Sequence, residues 1–185
     1  MQQSFEEVKQ QLISEIYRAF DGVTLEDGVG LWEGQGLDSY ADDEALLKLR
    51  RKDERISWDS VTYQDLCLCN SSPSFFDAKG MRFHLPKLML LHLFESELDL
   101  PCDSPNLLFH LKSGVAGNEY AAAQFALLNR QQLTCVVHFL EFHLQEIIEQ
   151  HREYEQLYGT APETYYYNVQ YVETAETLDR WKERL

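Results

Sequence analysis

The chain has 185 residues, enough for one domain with a proper core and short for two. Its 44% apolar and 25% charged residues exclude a disordered chain, and 31 acidic against 16 basic residues give a net charge of −15. A field of that sign repels phosphate backbones and anionic lipid, so nucleic acid and membrane surfaces are not expected partners, whereas encounter with a basic protein is favoured.

The charge sits at the ends. Residues 1–60 hold 14 acids and 7 bases, and residues 131–185 hold 10 and 4, while residues 61–130 are close to neutral and the most apolar. The core is therefore expected in the middle. The start, MQQSFEEVKQQ, has neither the basic nor the apolar region of a secretory signal. The apolar run Leu88–Leu91 is flanked by Lys87 and His92, far short of the roughly 20 apolar residues of a spanning helix. Without a signal, Cys67, Cys69, Cys102 and Cys135 read as reduced thiols, and the expected compartment is the cytoplasm.

In chain order, Ser4 and Glu7 form a capping box, and Phe5, Val8, Leu12, Ile16 and Phe20 recur at helical spacing, predicting a helix over 4–20 that Asp21-Gly22 stops. Five of the nine glycines lie in 22–36; a small hairpin near 23–31 around Asp27-Gly28 is one expectation, followed by a short helix over 31–40. Asp42 caps a charged helix to about Arg55, with Glu44–Lys48 and Arg50–Glu54 as i,i+4 pairs. A further segment begins at Ser57 or Asp59 with Trp58, Val61, Leu66 and Cys69 inward, and Asn70–Pro73 is a loop. Then comes KGMRFHLPKLMLLHLFESE. Gly80 suggests a turn and Pro86 a first helical turn, and Leu85, Leu88, Met89, Leu91, His92 and Leu93 cover nearly the whole circumference. Residues 85–97 are thus predicted as a buried central helix. Short helices follow at Leu107–Leu111 and, capped by Asn118, around Ala121–Leu128. After a break at 129–132, a long helix over 133–151 carries Leu133, Val137, Leu140, Leu144 and Ile147 as its stripe. Thr160 to Glu163 is a second capping box. Helical and strand periods compete over 163–172, where Tyr165, Tyr167, Val169 and Tyr171 alternate; helix is expected, with Leu178 and Trp181 on a last helix. The sum is one all-α domain, residues 1–185.

Three stretches, Leu31 with Asp38-Ser-Tyr40, Asp53-Glu54 with Trp58, and Gly80-Met-Arg82-Phe83-His84-Leu85-Pro86, resemble a bacterial family of uncharacterised small acidic proteins, a domain of unknown function marked by the last segment. The likeness runs over about residues 20–95. It implies a fold and a bacterial source, not a mechanism.

Chemistry-bearing patterns are sparse. Cys67-x-Cys69 places two thiols about 200° apart on a helix, His138 and His143 are about 140° apart, and His84 and His92 are about 12 Å apart along theirs, so no pair shares an ion. His138 with Glu141 has i,i+3 spacing but no inward repeat of it. No metal or cofactor is expected. There is no G-x-S-x-G, and Gly34-Gln-Gly36 lacks the third glycine of a dinucleotide fingerprint. Lys48-Leu-Arg50-Arg51-Lys52 is diluted by Asp53 and Glu54. These features point to a non-catalytic protein-binding protein, of the immunity (antitoxin) pattern, that neutralises a basic toxin. The expected contacts are Asp42, Asp43 and Glu44, then Glu149, Glu153 and Glu155, with Tyr165, Tyr166, Tyr167 and Tyr171 as aromatic anchors. The alternative is an enzyme with a site assembled around Asp38, Arg82 and His84.

Overall fold

A computed structural model describes residues 4–159 and 164–185, the backbone alone for residue 158 and residues 164–168. The regular structure of the described residues is all helical, with no strand. The helices are α1 (Phe5–Ala19), α2 (Leu31–Asp38), α3 (Asp43–Arg50), α4 (Tyr63–Leu68), α5 (Ala78–Phe94), α6 (Leu107–Ser113), α7 (Glu119–Gln124), α8 (Arg130–Tyr158) and α9 (Thr164–Lys182). Single 3-10 turns lie at Trp58–Ser60, Ser72–Phe75 and Glu95–Glu97. The fold is all-α, and the chain forms two compact units: residues 1–15 with 129–185, and residues 16–128.

In the first unit α1 begins as its capping box predicts. Glu7 N–H donates to Ser4 Oγ at 3.2 Å, and Ser4 N–H to Glu7 Oε2 at 2.8 Å. The expected break at 129–132 is instead the start of α8. Asn129 accepts from Gln132 N–H at 2.9 Å, and Gln132 Oε1 accepts from Asn129 N–H at 3.1 Å, so two orphan donors are met and the helix opens at 130. Its predicted stripe is turned inward, with Val137, Leu140 and Ile147 buried. Over residues 164–172, where the two periods compete, the chain is helical, and a single helix, α9, carries Tyr171 and the buried Leu178 and Trp181. It packs along α8, and Lys182 Nζ reaches Glu141 Oε1 at 2.8 Å. The Thr160–Glu163 capping box lies outside the described residues.

The second unit is built on α5. All but one of its residues from 80 to 91, together with Leu93, are buried, which makes it the hub the sequence implied. Its start differs from expectation: the helix begins at Ala78, and Pro86 lies in its interior. Asp77 supplies the reason, because Oδ1 accepts from Gly80 N–H at 2.7 Å and Val29 N–H at 3.1 Å. That cap, and the burial of Gly80, Met81 and Phe83, stabilise two turns that the glycine and proline alone would discourage. Gly80 is required by contact rather than by a turn, since a Cβ there would lie 2.3 Å from Val29 O. α4, α6, α7 and the Trp58–Ser60 turn pack on α5, while α2 packs on α3 and on the Ser72–Phe75 turn.

The hairpin near 23–31 does not form. Leu25 N–H bonds Arg55 O at 2.9 Å, Gly28 N–H bonds Leu25 O at 3.0 Å, and Glu26 is left-handed at φ 55°, so these backbone groups are engaged elsewhere. Helix α3 ends at Arg50, because the expected Arg50–Glu54 pair is replaced. Arg50 Nη1 binds Glu33 at 2.8 Å, and Glu54 turns to accept from the N–H groups of Ile56 and Ser57. The Glu44–Lys48 pair forms, at 2.7 Å. Ser57 stands at the start of a helical segment as expected, but that segment is only the 3-10 turn Trp58–Ser60, and Thr62 caps α4.

Candidate partner-binding site

In the first unit, α1 and α8 leave a cleft of about 390 Å³ between them. Its floor is apolar: Phe5, Val8 and Leu12 from α1, and Phe142 from α8. Phe5 stacks on Phe142, with ring centroids 4.5 Å apart, yet Phe5 remains 40% and Val8 36% exposed. Helical spacing places all three α1 residues on one face, but that face overhangs α8 only in part. Glu15, Glu141 and Glu149 form the rim, with Gln11, Gln145 and His138 between them. Each rim carboxylate has a close nitrogen neighbour: His138 Nδ1 at 2.8 Å from Glu15, Lys182 Nζ at 2.8 Å from Glu141, and Arg152 Nη1 at 2.7 Å from Glu149. The pairs are on the surface, so solvent screens them.

The residues singled out by sequence are divided between the units. Asp42, Asp43 and Glu44 are exposed at the start of α3, where Asp42 Oδ1 accepts from Ala45 N–H at 2.9 Å. Glu149 lines the cleft, Glu153 is exposed, and Glu155 lies 3.7 Å from His151. Tyr171 is half-buried; Tyr165, Tyr166 and Tyr167 are helical in backbone, and their side chains lie outside the described residues. The sequence places Phe5 and Val8 on the helical stripe of α1 without assigning their exposure. No periodic signal marks them as exposed, because a groove-lining stripe and a core stripe have the same spacing.

The buried ionisable groups each have a local task. Asp53 is 8% exposed, and its Oδ1 accepts from Trp32 N–H at 2.6 Å at the start of α2. Burial pushes its pKa up to about 6, against the opposing pull of the two backbone donors. His84 is enclosed, stacked on Phe76 at 4.4 Å and edge-on to Phe83, with Nδ1 2.8 Å from Gly80 O; burial lowers its pKa to about 4 and keeps it neutral. Lys87 donates to Asp59 O at 2.9 Å and lies over the Tyr63 ring. Burial raises the Cys67 thiol, and the Cys69 thiol to about 12, so both are held protonated. Asp38, Arg82 and His84 are not joined by any hydrogen bond among the described residues. Arg82 Nη2 bonds Glu26 Oε1 at 2.7 Å, and Asp38 accepts from Gln35 at 3.4 Å.

Fold and site define an acidic, all-helical protein with an apolar, carboxylate-rimmed cleft, and no described helix is long and apolar enough to cross a membrane. The chain belongs to a family of unknown function, DUF6714, whose sequence model matches residues 8–170. The match extends well beyond the stretch 20–95 that carried the likeness by motif. No curated protein and no solved structure matches the chain.

Proposed function

We propose that this protein binds a basic protein partner without catalysis, in the manner of a cytoplasmic immunity protein that neutralises a bacterial toxin. The observation that supports this best is the cleft: an exposed apolar floor inside a carboxylate rim, on a chain of net charge −15. An amphipathic helix with apolar residues one turn apart and lysine or arginine beside them complements both floor and rim. The rim's surface ion pairs are worth about 0–1 kcal/mol each, so an incoming cation displaces Lys182 or Arg152 at little cost. Phe5 is the expected anchor, since aromatic residues dominate binding energy. Asp42, Asp43, Glu44, Glu153, Glu155 and the tyrosines of α9 supply the steering field and further contacts.

The test uses a helical peptide of leucine and lysine and its counterpart of leucine and glutamate. Calorimetry measures affinity, and stopped flow measures association from about 0.1 M to 1 M salt, where the Debye length falls from about 10 Å to 3 Å. Only the cationic peptide is expected to bind, with an on-rate that falls as salt rises and an affinity weakened about tenfold by Phe5→Ala. Equal binding of the glutamate peptide, an on-rate indifferent to salt, or no effect of Phe5→Ala would each sink the proposal.

A further inference from the structure

We infer that Cys67 and Cys102 are a redox pair, joined under oxidising conditions by a reversible disulfide that staples the segment after α5 to α4. Both lie in the second unit, so the inference goes beyond the cleft and does not depend on it. Cys67 sits on α4 and is 2% exposed, whereas Cys102 is open to solvent in the irregular chain between the Glu95–Glu97 turn and α6. Remote in sequence, the two thiols meet in space, with Cys102 in side-chain hydrogen-bond contact with Cys67. Neighbouring contacts show the same apposition. Leu98, Asp99, Leu100 and Pro101 wall a cavity of about 350 Å³ together with Tyr63 and Gln64, in the first turn of α4. Just past the last turn, Asn70 Nδ2 donates to Asp103 O at 3.5 Å. Residues 98–103 therefore run along α4 from its start to its end, with Cys102 beside Cys67.

The two thiols differ as a sensing and a resolving cysteine must. Cys102 is the sulfur that an oxidant reaches. With hydrogen peroxide as that oxidant, the Cys102 sulfur attacks one peroxide oxygen. The O–O bond breaks, Cys102 becomes a sulfenic acid, and the other oxygen leaves as water with the thiol proton. Cys67 is enclosed, and burial raises its pKa, so it stays a thiol until a sulfenic acid stands next to it. Its sulfur then attacks that of Cys102. The S–S bond forms, the S–O bond breaks, and hydroxide leaves as water with the Cys67 proton. Each thiol gives up one electron, and one peroxide becomes two waters. Disulfide geometry demands backbones that already lie close, and the irregular segment around Cys102 closes the last gap more readily than a helix would.

The test treats full-length protein with a small excess of hydrogen peroxide, blocks the remaining thiols with N-ethylmaleimide, and maps peptides by mass spectrometry without reduction. The Cys67 and Cys102 peptides are expected to be linked, with the chain lighter by two hydrogen atoms, and dithiothreitol should restore both thiols. The ring so closed contains α5, so the linked protein should melt about 5 °C or more above the reduced one, because the bond restricts the unfolded chain. Cys102→Ser alters an exposed position and should fold normally. It should form no link, leave Cys67 unoxidised, and show no rise in midpoint with peroxide. Cys102 driven to sulfinic or sulfonic acid without a link overturns the inference, as does a bond from Cys102 to any other cysteine or to a second chain. An unchanged or lowered midpoint in the linked protein, or an equal rise in Cys102→Ser, overturns it as well.

Discussion

The head of α2 offers the sharpest test of how this fold is held. Gly30 occupies the N-cap position and has no side chain with which to accept from the first N–H groups of the helix. Asp53 does so from a distance in sequence, with Oδ1 2.6 Å from Trp32 N and Oδ2 3.4 Å from Glu33 N. The absence of a side chain at Gly30 admits it, because a Cβ there would lie 2.1 Å from Asp53 Cγ. Burial outweighs the two hydrogen bonds and raises the carboxyl to about 6 from an ordinary 3.8. The folded protein thus binds the Asp53 proton more tightly than the unfolded chain does. Its contribution to stability is fullest below pH 4 and is lost as pH rises through 6, the reverse of a salt-bridged aspartate. The displacement corresponds to about 3 kcal/mol, which solvent screening near the surface reduces to on the order of 1–2 kcal/mol. Asp53→Asn is neutral at every pH, keeps an acceptor for Trp32 and loses only the longer bond. Urea unfolding of both proteins between pH 4 and 7.5 isolates the effect, because every other titrating group cancels in the difference. The wild type should lose about 1–2 kcal/mol relative to Asp53→Asn across this range. Parallel pH profiles would refute a raised carboxyl at this site.

Other substitutions bear on the same framework. Gly30→Ala should displace the Asp53 carboxylate and cost about 1–2 kcal/mol, the usual worth of a helix cap, read as a lower urea midpoint. Leu91→Asp places a carboxylate where the side chain is 1% exposed and should cost several kcal/mol, so a melting point within a degree or two of wild type would contradict α5 as the hub. Arg82→Ala breaks an ion pair with the half-exposed Glu26 and should cost under about 1 kcal/mol. A normally melting Arg82→Ala that lost biological activity would favour the enzyme alternative over binding.

Much of the fold was legible because its signals are local. The Ser4–Glu7 box, the Asp42 and Asn118 caps and the all-round apolar face of α5 each declare themselves within one or two turns. The departures came where a remote group overrode the local preference. Pro86 reads as a helix start until Asp77, nine residues earlier, takes the capping role. Arg50 reads as paired with Glu54 until the fold brings Glu33 beside it. Gly28 reads as a hairpin turn until Leu25 finds Arg55 and Val29 finds Asp77. A tertiary acceptor leaves no periodic trace, so sequence offers only the residue types from which it is drawn.

The candidate contact residues divide along the same line. Acids were prominent in the sequence, yet prominence alone overstates them. Asp42 caps α3, Asp43 and Glu44 sit where the helix dipole favours negative charge, and Glu44 pairs with Lys48, so local structure already accounts for all three. The informative residues are those that local structure does not account for. Phe5 and Val8 continue a core stripe but are left part-open over α8. Their lack of a structural return emerges only once the exposure is known. On the binding reading proposed above, the acids supply the field that brings a cation close and the aromatic rings of the cleft hold it, because charge in water steers association far more than it tightens it.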